Sequence, residues 1–199
     1  MPLETILQVA LNAFATHGYD GVSLRTLNKE LGASHNLIYQ RFGSKENLWR
    51  AVVDFGFGRI VRRMDGIFDL AVTDPVEQLR LAVREFLRVS ADHPELTALM
   101  NFEGRQDTAR LTYIFETYVQ PTEDRLWRLA QYLMAENIIR PIPQRTLHFL
   151  ITDGGTAPYS QIPLALLFDS ASPLDSEAVD QHADLVSTIL IEGLRVREP

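Results

Sequence analysis

Residues 23–45, SLRTLNKELGASHNLIYQRFGSK, leave the backbone little choice. Leu24, Leu27 and Leu31 recur at helical spacing behind Ser23, whose hydroxyl suits an N-cap. Gly32 follows where a helix end needs a residue that tolerates a left-handed backbone. Ser34 offers a second N-cap, and Ile38 and Phe42, four apart, give the next segment a single apolar stripe. Its other face holds His35, Asn36, Tyr39, Gln40 and Arg41, side chains that hydrogen-bond to base edges and phosphates. Two short helices around a tight turn, the second presenting such groups, have the layout of a DNA-reading helix-turn-helix.

The pattern extends outward on both sides. Ile6-Leu7, Ala10, Phe14-Ala15 and Gly18-Tyr19 precede Ser23. Gly32-Ala33-Ser34, Tyr39, Phe42, Ser44-Lys45-Glu46 and Leu48 follow it. Over roughly residues 4–53, with no gap, the chain resembles the N-terminal domain of the TetR family of transcriptional regulators. Two positions depart from the family pattern: Asn28 stands where a small apolar residue, usually Ala, packs the two helices together, and Ala33 replaces a more usual Val.

The resemblance implies a three-helix DNA-binding head over residues 1–45 and a ligand-binding, dimerising body over 46–199. It implies that His35, Asn36 and Gln40 face the major groove, that Leu37 touches a thymine methyl, and that Tyr39 packs on the DNA backbone. Lys45 at the start of the next helix would grip a phosphate, with Ser23, Arg25 and Ser34 as further DNA contacts. The function implied is a repressor of a pseudo-palindromic operator, released by a small hydrophobic or aromatic effector. The partner implied is a second copy of the chain, held through C-terminal helices over 143–154 and 176–197. A helical small-molecule binding module that does not read DNA is the alternative.

The rest of the sequence also reads as helix, and no run alternates in the manner of a strand, so the fold class is all-α with about nine helices. Helices are predicted over 3–17, 45–70, from Pro75 to about Asp92, 94–103, 108–136 with Pro121 kinking or dividing it, from Pro143 to about Gly154, and 176–197. Residues 155–163 read as irregular, and 164–168 as a further turn of helix. The net charge of −7 argues against DNA only until it is divided. Residues 1–50 hold five basic and four acidic side chains, a net +1 that leaves −8 for the remainder. With no cysteine there is neither a disulfide framework nor thiolate chemistry. The longest apolar run, IPLALLF at 162–168, is too short to span a bilayer, and no signal peptide is evident, so a cytoplasmic protein is expected.

Aromatic side chains between residues 55 and 159 read singly as core of the helical body, and as a set they are also what the resemblance implies for the lining of an apolar ligand pocket. Phe102, Tyr113, Phe115, Tyr118, Phe149 and Tyr159 are the candidates for such a lining, with Asn101 and His148 as polar anchors. Enzyme readings find little support. His93, His148 and His182 lack a second histidine at ligand spacing, and Asp180, His182 and Asp184 cannot share one helix face. No glycine-rich phosphate loop or nucleophile motif occurs, so no catalytic residue, metal or cofactor is expected.

Overall fold

The computed structural model describes residues 1–68 and 72–196. Its elements are α1 (Leu3–Gly21), α2 (Leu24–Glu30), α3 (Leu37–Phe42), α4 (Lys45–Phe68), α5 (Pro75–Asp92), α6 (Pro94–Glu103), α7 (Ala109–Ile114), α8 (Gln120–Ala135), α9 (Gln144–Phe149), α10 (Gly155–Ser160), α11 (Ile162–Phe168) and α12 (Ser176–Leu194). Short π-helical turns join α7 to α8 (Phe115–Val119) and α9 to α10 (Leu150–Gly154). No strand occurs among the described residues, only an isolated antiparallel bridge between Ile139 and Arg195, so the fold is all-α as the periodicity predicts. The end of the predicted fourth helix, residues 69 and 70, lies outside the described residues.

The chain forms two compact units. One comprises Met1–Arg59 with Glu95–Phe115, and the other Ile60–Pro94 with Glu116–Pro199. Helix α4 supplies residues 45–59 to the first and 60–68 to the second.

In the first unit, α1 buries Ile6, Leu7, Ala10, Leu11 and Phe14, the stripe its spacing predicts. Gly18 interrupts it, with φ 67° and ψ 172°, a region open only to glycine. Space is restricted as well: a Cβ at Gly18 would stand 2.9 Å from the Phe102 ring of α6. The chain then turns through Val22, whose N–H donates to the Tyr19 carbonyl, and enters α2.

In the second unit, α5 starts where Asp74 and Pro75 predict. The Asp74 carboxylate accepts from the Val76 N–H at 2.9 Å, and Pro75 occupies the first turn, where its missing N–H costs nothing. Leu79, Val83 and Leu87 of α5 join Ala130, Leu133, Leu147, Ile151, Tyr159, Val179, Ala183 and Ile191 in one buried cluster. Beside this core, three arginines at four-residue spacing face carboxylates of α12. Arg80 meets Glu192 at 3.4 Å, Arg84 meets Asp184 at 3.3 Å and Arg88 meets Asp180 at 2.7 Å. Each partly exposed pair contributes only about 0–1 kcal/mol, so their joint effect is on register more than on stability.

The helix predicted over 108–136 is divided next to Pro121. Proline lacks the N–H and crowds the preceding turn, and the run widens into the π-helical turn at 115–119 before α8 resumes with Pro121 in its first turn. One helix prediction needs correction. Gly154 and Gly155 do not end a helix: the helical run that begins at α9 continues through the π turn into α10, where the sequence predicts an irregular stretch. Gly155 serves close packing instead, since a Cβ there would lie 2.5 Å from the buried Leu87 side chain.

Gly18→Ala imposes both a forbidden backbone region and a clash with Phe102. The expected loss is about 1–3 kcal/mol of stability, read from the midpoint of chemical denaturation with unchanged slope.

Candidate nucleic-acid interface

Helices α2 and α3 and the turn between them have the predicted order, with one shift. α3 is the six-residue segment Leu37–Phe42, and its N-cap position is Asn36, not Ser34. Ser34 takes part through its carbonyl, which accepts from the Leu37 N–H at 3.1 Å, and Ser23 makes no side-chain cap bond to α2. His35 and Asn36 therefore sit on the turn leading into α3. Gly32 has φ 60°, the left-handed conformation its position requires.

Burial divides this segment sharply. Ile38 is fully buried and Phe42 half-buried, while Ser34, His35, Asn36, Gln40 and Arg41 are exposed. Tyr39 is 65% exposed, too open for a core residue. Leu37 is half-buried, and Ser23 and Arg25 are exposed at the start of α2. Every polar side chain predicted to meet DNA on α3 and its leading turn is thus open to a partner. The inward side holds an unexpected polar group: Asn28 of α2 is only 2% exposed. Its Nδ2 donates to the His35 carbonyl at 2.8 Å, and its Oδ1 accepts from the Ile38 N–H at 3.2 Å. Sequence reasoning did not foresee this. The available signal was an amide within the otherwise apolar seam Leu24, Leu27 and Leu31.

Helix α4 opens beside this surface. Ser44 caps it, its Oγ accepting from the Asn47 N–H at 3.1 Å, and Asn47 Nδ2 donates back to the Phe42 carbonyl at 2.9 Å. Lys45 Nζ lies 4.5 Å from the centre of the Tyr19 ring, and the Arg110 guanidinium lies 4.1 Å from it. Arg110 is held by the buried carboxylate of Glu103 at 3.1 Å. The Tyr19 phenol is pushed up from its ordinary value by burial and then by the Glu46 carboxylate, against the opposing pull of Arg110.

The eight candidate ligand residues do not gather in one unit. Asn101, Phe102, Tyr113 and Phe115 belong to the first. There the Phe102 ring closes on Gly18, and the Tyr113 hydroxyl donates to Asp54 at 2.7 Å with the Arg50 guanidinium over its ring. Asn101 is half-buried, and Phe115 is exposed. Tyr118, His148, Phe149 and Tyr159 belong to the second. Tyr118 is half-buried; His148 Nδ1 pairs with Glu123, and the exposed Phe149 ring stands edge-on to His148. Tyr159 is buried at 1% exposure, its hydroxyl has no hydrogen-bond partner, and the His182 ring meets its own edge-on. With Pro158, Ala165, Asp169, Pro173 and His182 it lines a cleft of about 190 Å³. Among the described residues no cluster of His, Asp and Glu is arranged to hold a metal, and no helix is long and apolar enough to cross a membrane.

The family described as bacterial regulatory proteins, tetR family, matches residues 6–52, the segment whose geometry has just been given. This segment is a tetR-family domain. It is similar to the HTH-type transcriptional repressor AcnR of Corynebacterium glutamicum, 43% identical over 49 residues, which are 25% of this chain and 26% of that protein. The chain thus spans about a quarter of that relative's length. Over nearly the whole chain the fold is similar to the ketosteroid transcriptional regulator KstR2 of Mycobacterium tuberculosis, with TM-score 0.77 and 17% identity, covering 98% of this chain and 95% of that one. It is also similar to the transcriptional regulator FadR of Bacillus subtilis, solved with stearoyl-CoA, with TM-score 0.67 and 17% identity, covering 98% and 100%.

Burial, and then the Asp180 carboxylate, push the Tyr159 phenol up to about 12. An unfolded tyrosine ionises at about 10. The contribution of Tyr159 to stability is therefore complete below pH 10 and is lost as pH rises from 10 towards 12. In a spectrophotometric titration of phenolate, the parent should show a step near pH 12 that Tyr159→Phe lacks.

Proposed function

We propose that the protein is a sequence-specific DNA-binding transcriptional regulator, a repressor that works in the cytoplasm as a homodimer on a pseudo-palindromic operator. The observation that carries this reading is the exposed set His35, Asn36, Tyr39 and Gln40, displayed on a tetR-family helix-turn-helix whose Ile38 is buried. Asn and Gln pair bidentately with adenine, and Tyr39 and Lys45 suit phosphates. Ser23, Arg25 and Ser34 border the same surface, and Leu37 presents an apolar edge for a thymine methyl. The balance of charge supports the same orientation, because the acidic remainder of the chain is repelled by DNA while the N-terminal fifty residues are not. In functional terms the head ends where α4 begins, and residues from 46 onward form the regulatory and dimerising part.

A gel shift tests the reading, using a duplex selected from a random-sequence pool by the parent protein. Gln40→Ala and Asn36→Ala should each cost about 1–3 kcal/mol at the base pair they read and relax preference there. Lys45→Ala should weaken binding to all duplexes alike and reduce the salt slope by about one unit. Parent-like binding by all three variants would reject these assignments.

The dimer reading is supported by apolar side chains left open on the C-terminal elements. Leu185 and Ile189 of α12 are 60% and 62% exposed, and Phe149, Leu150, Leu167 and Phe168 are also exposed. Leu190 packs against the core, so Leu185 with Ile189 is the pair to alter. Replacing both by Asp should give a monomer in sedimentation and abolish binding to an operator whose half-sites lie about 34–36 Å apart, or multiples of that spacing. A parent that sediments as a monomer at micromolar concentration contradicts the dimer.

For the effector, the likeness to FadR, which was solved with stearoyl-CoA, supports a hydrophobic ligand. Asn101, Phe102, Tyr113 and Phe115 in the first unit and Tyr118, His148, Phe149 and Tyr159 in the second are its candidate contacts. The Tyr159 cleft falls below the roughly 300–1,000 Å³ of drug-sized sites, so that cleft suits a small aromatic or aliphatic molecule and not a long acyl chain. An inducer must bind the operator-free protein more tightly. A coupling of about 1–3 kcal/mol changes operator affinity roughly 5–150-fold, and the operator weakens the ligand by the same factor.

A further inference from the structure

Helix α3 is six residues long, and a helix of that length does not persist in water on its own. Its inward hold is narrow, consisting of the buried Ile38 and the half-buried Phe42. Nor does its own sequence cap it, because Asn36 at the N-cap position makes no side-chain cap bond. The Ile38 N–H, a first-turn donor with no partner inside the helix, is nonetheless bonded, and its acceptor is Asn28 Oδ1 from α2 at 3.2 Å. Through Nδ2 the same amide donates to the His35 carbonyl at 2.8 Å, and the Asn28 backbone carbonyl accepts from the Ala33 N–H at 3.0 Å. One orientation of the amide satisfies both side-chain bonds. A flip would set donor against donor and acceptor against acceptor.

At 2% exposure Asn28 cannot itself reach a base. The geometry points to Asn28 as the positioning residue for base recognition, a cap lent by α2 that fixes how His35, Asn36 and Gln40 are presented. A side chain without this amide leaves the buried Ile38 N–H and the part-buried His35 carbonyl without these bonds, and the turn carrying His35 and Asn36 must rearrange to rehydrate the N–H. The base-reading groups then lose their common register, while phosphate contacts from Lys45 do not depend on it. The inference rests on the DNA-binding reading.

The test uses the full chain in three forms: parent, Asn28→Ala and Asn28→Asp. Amide exchange by NMR is measured alongside binding to a duplex selected by the parent and to a scrambled duplex of equal length. In the parent, the Ile38 amide should exchange at least about tenfold more slowly than an unstructured reference, the scale of one retained hydrogen bond. Asn28→Ala should speed Ile38 exchange while leaving the Leu11 amide unchanged. It should lower affinity for the selected duplex by about tenfold and leave the scrambled duplex unaffected, a loss that a merely less stable fold does not produce. Asn28→Asp keeps the acceptor for Ile38 but sets a carboxylate against the His35 carbonyl, so Ile38 protection should survive while the specific-to-scrambled ratio falls. An Ile38 amide that exchanges freely in the parent, or a parent-like affinity ratio in folded Asn28→Ala, overturns the inference. If Asn28→Ala does not fold, the parent Ile38 rate and the Asn28→Asp ratio decide it. A parent that selects no duplex defeats the DNA-binding reading and this inference together, whereas a selected duplex with an unchanged ratio defeats this inference alone.

Discussion

Helix α5 has to be surrounded. Val76, Leu79, Ala82, Val83, Leu87, Val89 and Ala91 are buried along it, on more of its circumference than the roughly 100° stripe of a surface helix. Each fully buried Leu or Val contributes about 1.5–3 kcal/mol, so an arrangement leaving one flank of α5 in water forfeits several of these at once. Helices α8, α10 and α12 pack on it and meet that demand. The two buried polar residues of α5 itself are satisfied: Ser90 donates to the Phe86 carbonyl at 2.7 Å, and Glu85 pairs with Arg63. The solvent-facing edge of α5 carries the three arginines that engage α12, so one helix sets both the packing of its neighbours and the register of the last one.

The head follows the opposite logic. Six residues of α3 bury one side chain completely and two only in part, and leave Tyr39, Gln40 and Arg41 outside. Such an element cannot stabilise itself and takes its geometry from what adjoins it, with α2 behind it and the Ser44 cap of α4 after it. The Tyr19 ring works similarly at the next corner, lying within cation–π distance of both Lys45 and Arg110. Arg110 is in turn fixed by a carboxylate buried at the end of α6. Residues 95–115 thus share a compact unit with the helix-turn-helix, although they are far from it in sequence.

Much of this was legible in the order of residues, where the cause is local. The Asp74–Pro75 start, the Gly32 turn, the stripe of α1 and the break at His93–Pro94 depend on neighbours within one helical turn. What escaped depends on distant partners. Gly155 reads as a helix end because the sequence does not show Leu87 pressing on it. Asn28 reads as a misfit because the bond it donates and the bond it accepts reach partners seven and ten residues away. The aromatic residues were the least decipherable. Phe102 and Tyr113 are committed to Gly18 and Asp54 in the first unit, and Tyr159 is a core residue that also borders a cleft, distinctions that spacing cannot encode.

The chain holds two tryptophans, and they fall one to each unit. Trp49 is fully buried in α4, with Tyr113 at 6.2 Å, and Trp127 of α8 is half-buried against the core of the second unit. Each compact unit therefore carries its own intrinsic fluorophore. Two single-tryptophan variants report separately on the melting of the first and of the second unit without any added label, and coincidence of their transitions measures how far the two units unfold as one cooperative body.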